Sequence, residues 1–269
     1  MKRFKRNRKD RAAFTLIELL TSIVIIGILA GLITAAAMQA VTAAREASIH
    51  SELQQIDMAF RAYKEKFGEF PPDSAAAVER HLRKAFPRYN AANWKSDAAA
   101  WGISVNGYAY GDWITFWLGG KPIMNGSEVT GFAGFSANPS NPFDDSTSRI
   151  GPFYEFDPDQ IINTGGRLRC WPKSAVSNVD QKGAMAYFRA ENGSYDGKNW
   201  GPAWPAIDAR SGQWINPESF QLWSSGLDLD YDRSRSGEPL QYPAGTNYGP
   251  MSFDDMANFT EGTLEDAMP

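Results

Sequence analysis

Apolar residues dominate positions 14–38 of this chain, and the only ionisable side chain in this stretch is Glu18. About 20 apolar residues suffice to cross a bilayer as a helix, so this stretch predicts a membrane span. No Gly or Pro interrupts positions 39–67, where apolar side chains recur at spacings of three, four or eight: Val41, Ile49, Leu53, Ile56, Phe60 and Tyr63. The periodicity predicts one helix over residues 14–67 that carries an apolar stripe and ends at Gly68.

Shorter elements are predicted after this helix. Residues 75–86 predict a short helix, and a segment rich in Trp, Gly, Asn and Pro extends to about residue 163. Residues 184–190 and 219–224 predict strands, and polar and apolar residues alternate in the second of them, as in a half-buried strand. If the two strands pair in antiparallel fashion and receive the apolar stripe, the fold is α+β. It consists of a long N-terminal helix on a small antiparallel sheet, with a large inserted segment.

Four tryptophans lie close together in the inserted segment: Trp94, Trp101, Trp113 and Trp117. A loop of this length is uncommon in a domain unless it has structure or function of its own. The indoles either fill the core of an inserted subdomain or form a surface that binds a carbohydrate or another subunit. The sequence leaves both interpretations open.

Basic residues crowd the N-terminal side of the apolar stretch, at Lys2, Arg3, Lys5, Arg6, Arg8, Lys9 and Arg11. This bias predicts that the N-terminus stays in the cytoplasm and that the remainder of the chain is translocated. The net charge of the whole chain is −4, so the translocated part without its basic leader is distinctly acidic. We therefore expect no nucleic-acid partner, because such binding needs a basic surface.

Candidate reactive side chains are few. The single cysteine, Cys170, excludes a disulfide within the chain, and we expect it to be buried beside Trp171. His50 falls on the predicted long helix and His81 in the short basic helix, so neither is a natural catalytic residue. The sequence has no nucleophile elbow, P-loop, zinc-protease or Cys-x-x-Cys motif. We expect no enzymatic activity and no catalytic residues.

The junction between leader and apolar stretch reads Ala13-Phe14-Thr15-Leu16-Ile17-Glu18. It resembles the N-terminus of type IV prepilins and type II secretion pseudopilins. The resemblance implies that a prepilin peptidase cuts between Ala13 and Phe14 and methylates the new amine of Phe14. The family usually has Gly where this chain has Ala13. An ordinary signal peptide would have a shorter apolar region, of roughly 7–15 residues, followed by its cleavage site.

The same resemblance assigns a role to Glu18, which pairs in the family with the N-terminal amine of a neighbouring subunit. In lipid, a carboxylate and an ammonium group each need such a partner. The implied partners are the membrane, the prepilin peptidase, an inner-membrane assembly platform and a homo- or hetero-oligomeric filament with other pseudopilins. The implied location is the bacterial inner membrane, with a single span, a cytoplasmic N-terminus and a periplasmic C-terminal domain.

Five segments follow from this interpretation of the sequence. They are the basic leader (1–13), the transmembrane half of the helix (14–38), its periplasmic half (39–70), the inserted Trp/Gly/Pro-rich region (71–163), and the C-terminal sheet with an acidic loop (164–269).

Aspartates cluster on turn-prone sequence near the C-terminus, at Asp228, Asp254 and Asp255. Calcium takes six to eight oxygen ligands from carboxylates and from the carbonyls of flexible loops. The pattern resembles the calcium loop of major type II pseudopilins. It implies calcium bound by Asp228 and by Asp254 or Asp255, with backbone carbonyls near Ser225 and Leu227.

This loop differs from the family pattern at Leu229, which stands where the family usually has Gly. The alternative to a calcium site is an acidic, solvated loop in which the aspartates cap turns.

Two classes of function compete. In the first, the chain is a structural pseudopilin or pilin subunit that assembles through its N-terminal helix into a filament of a type II secretion or type IV pilus-like system. In the second, pilin-type export anchors a periplasmic binding module whose Trp-rich insertion recognises a glycan or a secreted protein. The sequence does not decide between a major and a minor subunit.

Overall fold

The computed structural model describes residues 15–145, 148–173, 183–231 and 238–269. The chain divides into two compact units, residues 1–44 and residues 45–269, and we call the second unit the head. The first helix, α1 (Leu16–Phe67), forms the described part of the first unit and continues into the head. The prediction of one helix over residues 14–67 is therefore confirmed for the residues that the structure describes.

The first unit exposes its apolar side chains all around the helix, from Leu16 to Val41. Its hydroxyl groups bond to the helix itself: Thr21 Oγ1 donates to the carbonyl of Ile17 at 2.9 Å, and Thr34 Oγ1 donates to that of Ala30 at 2.8 Å. Such bonds satisfy polar hydrogens where no water is present. By length and composition, α1 is able to cross a membrane.

Among the described residues of the head, three shorter helices and eleven short strands follow. The helices are α2 (Ala75–Ala85), α3 (Trp94–Ala100) and α4 (Asp112–Gly119), with 3₁₀ turns at Ala91–Asn93 and Pro158–Gln160. The strands are β1 (Pro122–Asn125), β2 (Glu128–Phe132), β3 (Phe135–Ser136), β4 (Arg149–Ile150), β5 (Ile161–Thr164), β6 (Arg167–Cys170), β7 (Ala186–Arg189), β8 (Ala206–Asp208), β9 (Phe220–Ser224), β10 (Leu240–Tyr242) and β11 (Met256–Ala257).

The apolar stripe of α1 enters the core of the head. Its side chains are fully buried at Ile49, Leu53, Ile56, Phe60 and Tyr63. Val41 was predicted to belong to this stripe, but it lies in the first unit and is 52% exposed. The helix ends as predicted at Gly68, whose φ of 82° is a left-handed conformation that favours glycine.

The principal sheet has three antiparallel strands in the order β11-β9-β7. Phe60 of α1 stacks on Tyr187 of β7 with ring centroids 4.2 Å apart, so the sheet receives the helix as predicted. The predicted pairing of the strands within residues 184–190 and 219–224 is present, with Tyr187 opposite Leu222. The α+β, pilin-like fold class is thus confirmed.

Both faces of this sheet are covered, which differs from the half-buried strand that alternation predicted. Every residue of β9 is buried. Phe220 and Leu222 join the cluster that contains α1, whereas Trp223 joins a second cluster built largely from residues beyond 186. Gln221, the polar residue between Phe220 and Leu222, is also buried. Its side-chain amide donates to the carbonyls of Ala206 and Ile215, and these bonds make its burial tolerable. Alternation marked the two faces of the strand but not what covers each of them.

The remaining strands form four two-stranded sheets, whereas a single small sheet was predicted. The pairs β1-β2, β3-β4 and β5-β6 are antiparallel, and β8-β10 is parallel. These strands have two to five residues each, and frequent Gly and Pro between them stop longer ladders from forming.

Candidate functional site

The first turn of α1 holds the Glu18 carboxylate against the start of its own helix. Glu18 Oε2 accepts hydrogen bonds from the backbone N–H of Thr15 at 2.8 Å and from its hydroxyl at 2.7 Å. The N–H of Glu18 in turn donates to Thr15 Oγ1 at 3.3 Å. This reciprocal pair of hydrogen bonds is a capping box. The positive end of the helix dipole also stabilises a carboxylate at this position.

The capping box was visible in the sequence as Thr15-x-x-Glu18, but the prediction for Glu18 did not use it. Glu18 therefore has hydrogen-bond partners within its own chain, and its side chain is also exposed and accessible to other molecules. The predicted processing residues, Ala13 and Phe14, lie outside the residues that the structure describes.

Further along α1, Gly27 and Gly31 stand one turn apart. A Cβ atom added to either glycine would meet no atom within 4 Å. Small residues four positions apart allow a second helix to approach closely in lipid. This surface of the first unit is consequently open to another helix.

In the C-terminal loop, the Asp254 carboxylate holds the backbone that precedes Asp228. Asp254 Oδ2 accepts the N–H groups of Leu227 at 2.7 Å and Asp228 at 3.0 Å. Gly226 has a φ of 62°, and a Cβ atom there would lie 2.3 Å from the carbonyl oxygen of Asp254. Glycine is therefore needed at 226 for both its conformation and the close approach.

The structure brings Asp228 and Asp254 together. The pKa of Asp228 is raised to about 6, mainly by burial and also by the negative charges of Asp254 and Asp230, whereas the hydrogen bond that Asp230 N–H donates lowers it. Leu229 adopts a φ of 61°, so the backbone takes the left-handed conformation for which the family uses Gly. The substitution at 229 is thus accommodated without a change of backbone region.

Asp255 and Ser225 point elsewhere. Asp255 is buried, and its charge adds to the effect of burial in raising the pKa of Tyr231 and Tyr248. Ser225 is also buried, and its hydroxyl donates to the carbonyl of Gly183 at 2.6 Å. The side chains of Asp255 and Ser225 are thus engaged with the core rather than with Asp228.

The donor chemistry at this loop suits a hard cation, because two carboxylates, Asp228 and Asp254, lie near carbonyl-bearing turns. Within the described parts of the chain, no group of three or more His, Cys, Asp or Glu side chains is arranged to hold a metal ion. A calcium ion here would therefore take most of its ligands from backbone carbonyls and water.

The four clustered tryptophans are core residues. Trp113 and Trp117 are fully buried, and Trp94 and Trp101 are 3% and 7% exposed. Trp117 Nε1 donates to the carbonyl of Pro72 at 2.8 Å, which ties α4 to the turn after α1. Of the two interpretations of these indoles, the structure supports the core of an inserted region.

The two histidines, neither predicted to be catalytic, make structural contacts. His50 Nε2 donates to the carbonyl of Thr260 at 2.7 Å. His81 Nδ1 donates to Glu69 at 2.7 Å, and its Nε2 accepts from the Tyr63 hydroxyl at 2.8 Å. Burial lowers the pKa of His81 in spite of Glu69, and burial raises that of Tyr63 well above its usual value. The order of groups is that of a catalytic triad, but the hydroxyl is sealed from solvent and stays protonated.

Sequence reasoning missed the buried ion pairs of the head. Asp112 accepts from Arg167 Nη2 at 2.9 Å and from Arg169 Nε at 2.7 Å, and Lys198 bonds the buried Asp73 at 2.7 Å. The partners lie 55 to 125 positions apart in sequence, so no local pattern reveals them. Cys170 is fully buried beside Trp171, as predicted, and burial raises the pKa of its thiol.

The chain combines a capped carboxylate at the start of an exposed apolar helix with an α+β head, which is consistent with a pilin-like fold, and the helix fits membrane anchoring. Residues 8–34 match the prokaryotic N-terminal methylation motif. The chain therefore carries the prepilin-type signal of type IV pilins and pseudopilins, whose role is structural rather than enzymatic, and this signal supports a pilin-like or pseudopilin subunit. No curated protein and no solved structure matches the chain.

Proposed function

We propose that this protein is a structural subunit that assembles through α1 into the filament of a type II secretion or type IV pilus-like system. The observation that carries the proposal is the methylation motif at residues 8–34, which leads directly into a helix with exposed apolar side chains. Those side chains need lipid before assembly and neighbouring helices after it. The head would be held on the periplasmic side, and the chain would have no enzymatic activity of its own.

Assembly would proceed in two steps. A prepilin peptidase removes residues 1–13 and methylates the amine of Phe14. The Glu18 carboxylate, already placed at the start of α1 by Thr15, then pairs with the amine of a neighbouring copy. Gly27 and Gly31 supply a surface at which a second helix packs closely.

Processing tests this proposal directly. Mass spectrometry of the protein from its native membrane should find mature chains that begin at N-methylated Phe14. Ala13→Gly, which introduces the usual family residue, should be processed at least as completely. Ala13→Trp should leave the leader attached, because a large side chain does not suit a site that normally takes Gly. Intact Met1 in cells with active prepilin peptidase, or cleavage after residue 38, would contradict the proposal.

The binding-module alternative is less favoured. It relied on an exposed Trp-rich surface, but the indoles of Trp94, Trp101, Trp113 and Trp117 are buried. A surface of that kind needs aromatic faces open to solvent.

We also propose that the C-terminal loop binds one calcium ion through Asp228 and Asp254, with backbone carbonyls near Ser225 and Leu227. The proximity of the two carboxylates supports this, because their repulsion is relieved by a divalent cation. Calcium, when bound, would order this loop and stabilise the head.

Calcium should raise the melting temperature of the full-length protein in detergent. A free calcium concentration of one hundred times Kd raises the free energy of unfolding by about 2.7 kcal/mol. For a domain of this size, this corresponds to a rise in melting temperature of roughly 5–10 °C. Asp228→Asn should remove the difference between calcium and chelator. Asp159→Asn, at an exposed aspartate elsewhere, should retain it. Melting that is indifferent to chelator, together with no calcium binding by calorimetry, would favour the solvated loop.

A further inference from the structure

α2 and the turn after it present a basic face that nothing in the described head covers. Its exposed cations are Arg80, Arg83, Lys84 and Arg88, and the opposite side of the helix is buried at Val78, His81 and Leu82. Arg83 and Lys84 have acidic partners, but no described carboxylate forms an ion pair with Arg80 or Arg88. This basic face therefore keeps a net positive charge.

An acidic face lies at another part of the head, made by Glu46, Glu261, Glu265 and Asp266. Burial raises the pKa of Glu46, and the charges of Asp266, Asp254 and Glu265 raise it further. Glu46, Glu265 and Asp266 thus share one electrostatic environment, and Glu261 lines the same cleft as Asp266. No ion pair joins them to a cation within the described residues, and these residues include no metal-holding group.

A cleft of about 460 Å³ opens in the acidic face. Its walls include the half-buried rings of Tyr242 and Phe259, which meet edge to face with centroids 5.4 Å apart. Glu261 and Asp266 line the same cleft. Aromatic faces beside carboxylates attract a guanidinium or ammonium group and repel an anion. The cleft therefore suits a basic side chain.

The two faces lie at different heights along α1. The acidic segment is fixed to the helix at His50 by Thr260, and α2 is fixed at Tyr63 by His81. At 1.5 Å per residue, these anchor points are about 20 Å apart along the helix axis. An ion pair within a single chain cannot span that distance, so the two faces remain available to other molecules.

We propose that the basic face of one copy of this chain docks on the acidic face of a second copy, with an arginine from α2 or its following turn in the aromatic cleft. Parallel copies displaced by about 20 Å along α1 would bring the faces level. Because the contact joins two different surfaces and displaces each copy along α1, it does not close into a ring and repeats along an open assembly. This inference rests on the proposed filament function and deepens it. It names a contact between the heads of two copies that is distinct from packing between the apolar helices.

Zero-length carbodiimide cross-linking of the assembled full-length protein tests the contact. Arg80→Lys and Arg88→Lys keep the positive charge and supply amines beside Lys84. Tryptic mass spectrometry should then find isopeptide links from position 80, 84 or 88 to Glu46, Glu261, Glu265 or Asp266. Such links must join two copies, given the separation within one chain. A link between Lys84 and Glu69, which lie 3.1 Å apart, is the internal positive control.

Charge exchange gives a second measurement. Arg80→Glu with Arg88→Glu should lower the yield of these inter-copy links at Lys84 about tenfold, because like charges would then face each other. Adding Glu261→Lys and Glu265→Lys to the same chain should restore the yield. Arg210→Glu changes an exposed arginine that belongs to neither face, so it should leave the links at wild-type yield. High salt should weaken the wild-type links, since exposed charges are screened.

The outcomes separate this inference from the proposed filament function. If sheared filaments form and the Lys84–Glu69 link is found, but no link joins the two faces, the docking inference is wrong and filament assembly stands. Insensitivity of the links to charge reversal would also overturn it. If no filaments form with the wild-type chain, the proposed function itself fails.

Discussion

Glu18→Gln should abolish incorporation of the chain into filaments, although the variant inserts into the membrane and folds its head normally. Glutamine is a natural member of the capping box, so its side-chain oxygen still accepts from Thr15 and the start of α1 is unchanged. It carries no charge, however, and cannot neutralise the amine of a neighbour in an apolar environment. The loss should be about a hundredfold or more, since an unpaired charge there is strongly unfavourable.

Sheared-filament yield and membrane content, measured side by side, check this expectation. Glu18→Ala should fail to the same extent, and Ser22→Ala should assemble normally, because its hydroxyl only bonds to the carbonyl of Glu18. Removal of a charge should, if anything, ease membrane insertion. Normal assembly of Glu18→Gln together with failure of Glu18→Ala would show that the cap matters and the charge does not.

Asp112→Ala should cause the largest loss of head stability among single substitutions of a charged residue. The carboxylate is fully buried and accepts from Arg167, Arg169 and the N–H of Ala109, which joins α4 to β6. Its removal leaves two largely buried guanidinium groups and one backbone donor without their acceptor. We expect a cost of about 3–5 kcal/mol, which lowers the melting temperature by roughly 6–20 °C.

Thermal unfolding of the full-length protein in detergent, followed by near-ultraviolet circular dichroism, measures this cost. Asp145→Ala is the matched control, because Asp145 also pairs with a lysine and an arginine but is 71% exposed. Surface pairs contribute little, so its melting temperature should change by no more than about 2 °C. Equal losses for the two variants would contradict the stated role of burial.

The sequence predicted the parts of this protein that depend on local pattern. Residues Ile49 to Tyr63 entered the core where their spacing placed them, and α2 begins at the predicted residue 75. The prepilin-type signal was predicted from the residues around Phe14 and Glu18, because charge, hydropathy and one carboxylate define it within a few positions. Signals of this kind survive without knowledge of the tertiary fold.

What the sequence could not predict depends on contacts between distant segments. Alternation in residues 219–224 suggested one solvent-facing side, but segments both before and after this strand cover that side and bury Gln221 and Trp223. The direction of each carboxylate was equally hidden: Asp254 faces Asp228, whereas its neighbour Asp255 turns into the core. No local rule predicts from the sequence which of two neighbouring aspartates faces the core.

The bonds between α1 and the C-terminal segment bear on how this chain is made. Thr260 binds His50 across 210 positions, and Asn258 binds Asp57 across 201. Closure of such long loops is entropically costly and makes folding slow. During synthesis, α1 emerges well before β11. The edge of β9 that pairs with β11 therefore stays unpaired until Met256 and Ala257 have been synthesised. An unpaired strand edge is prone to join with other chains, so the interval between emergence of β9 and of β11 is when a newly made chain is most exposed to aggregation.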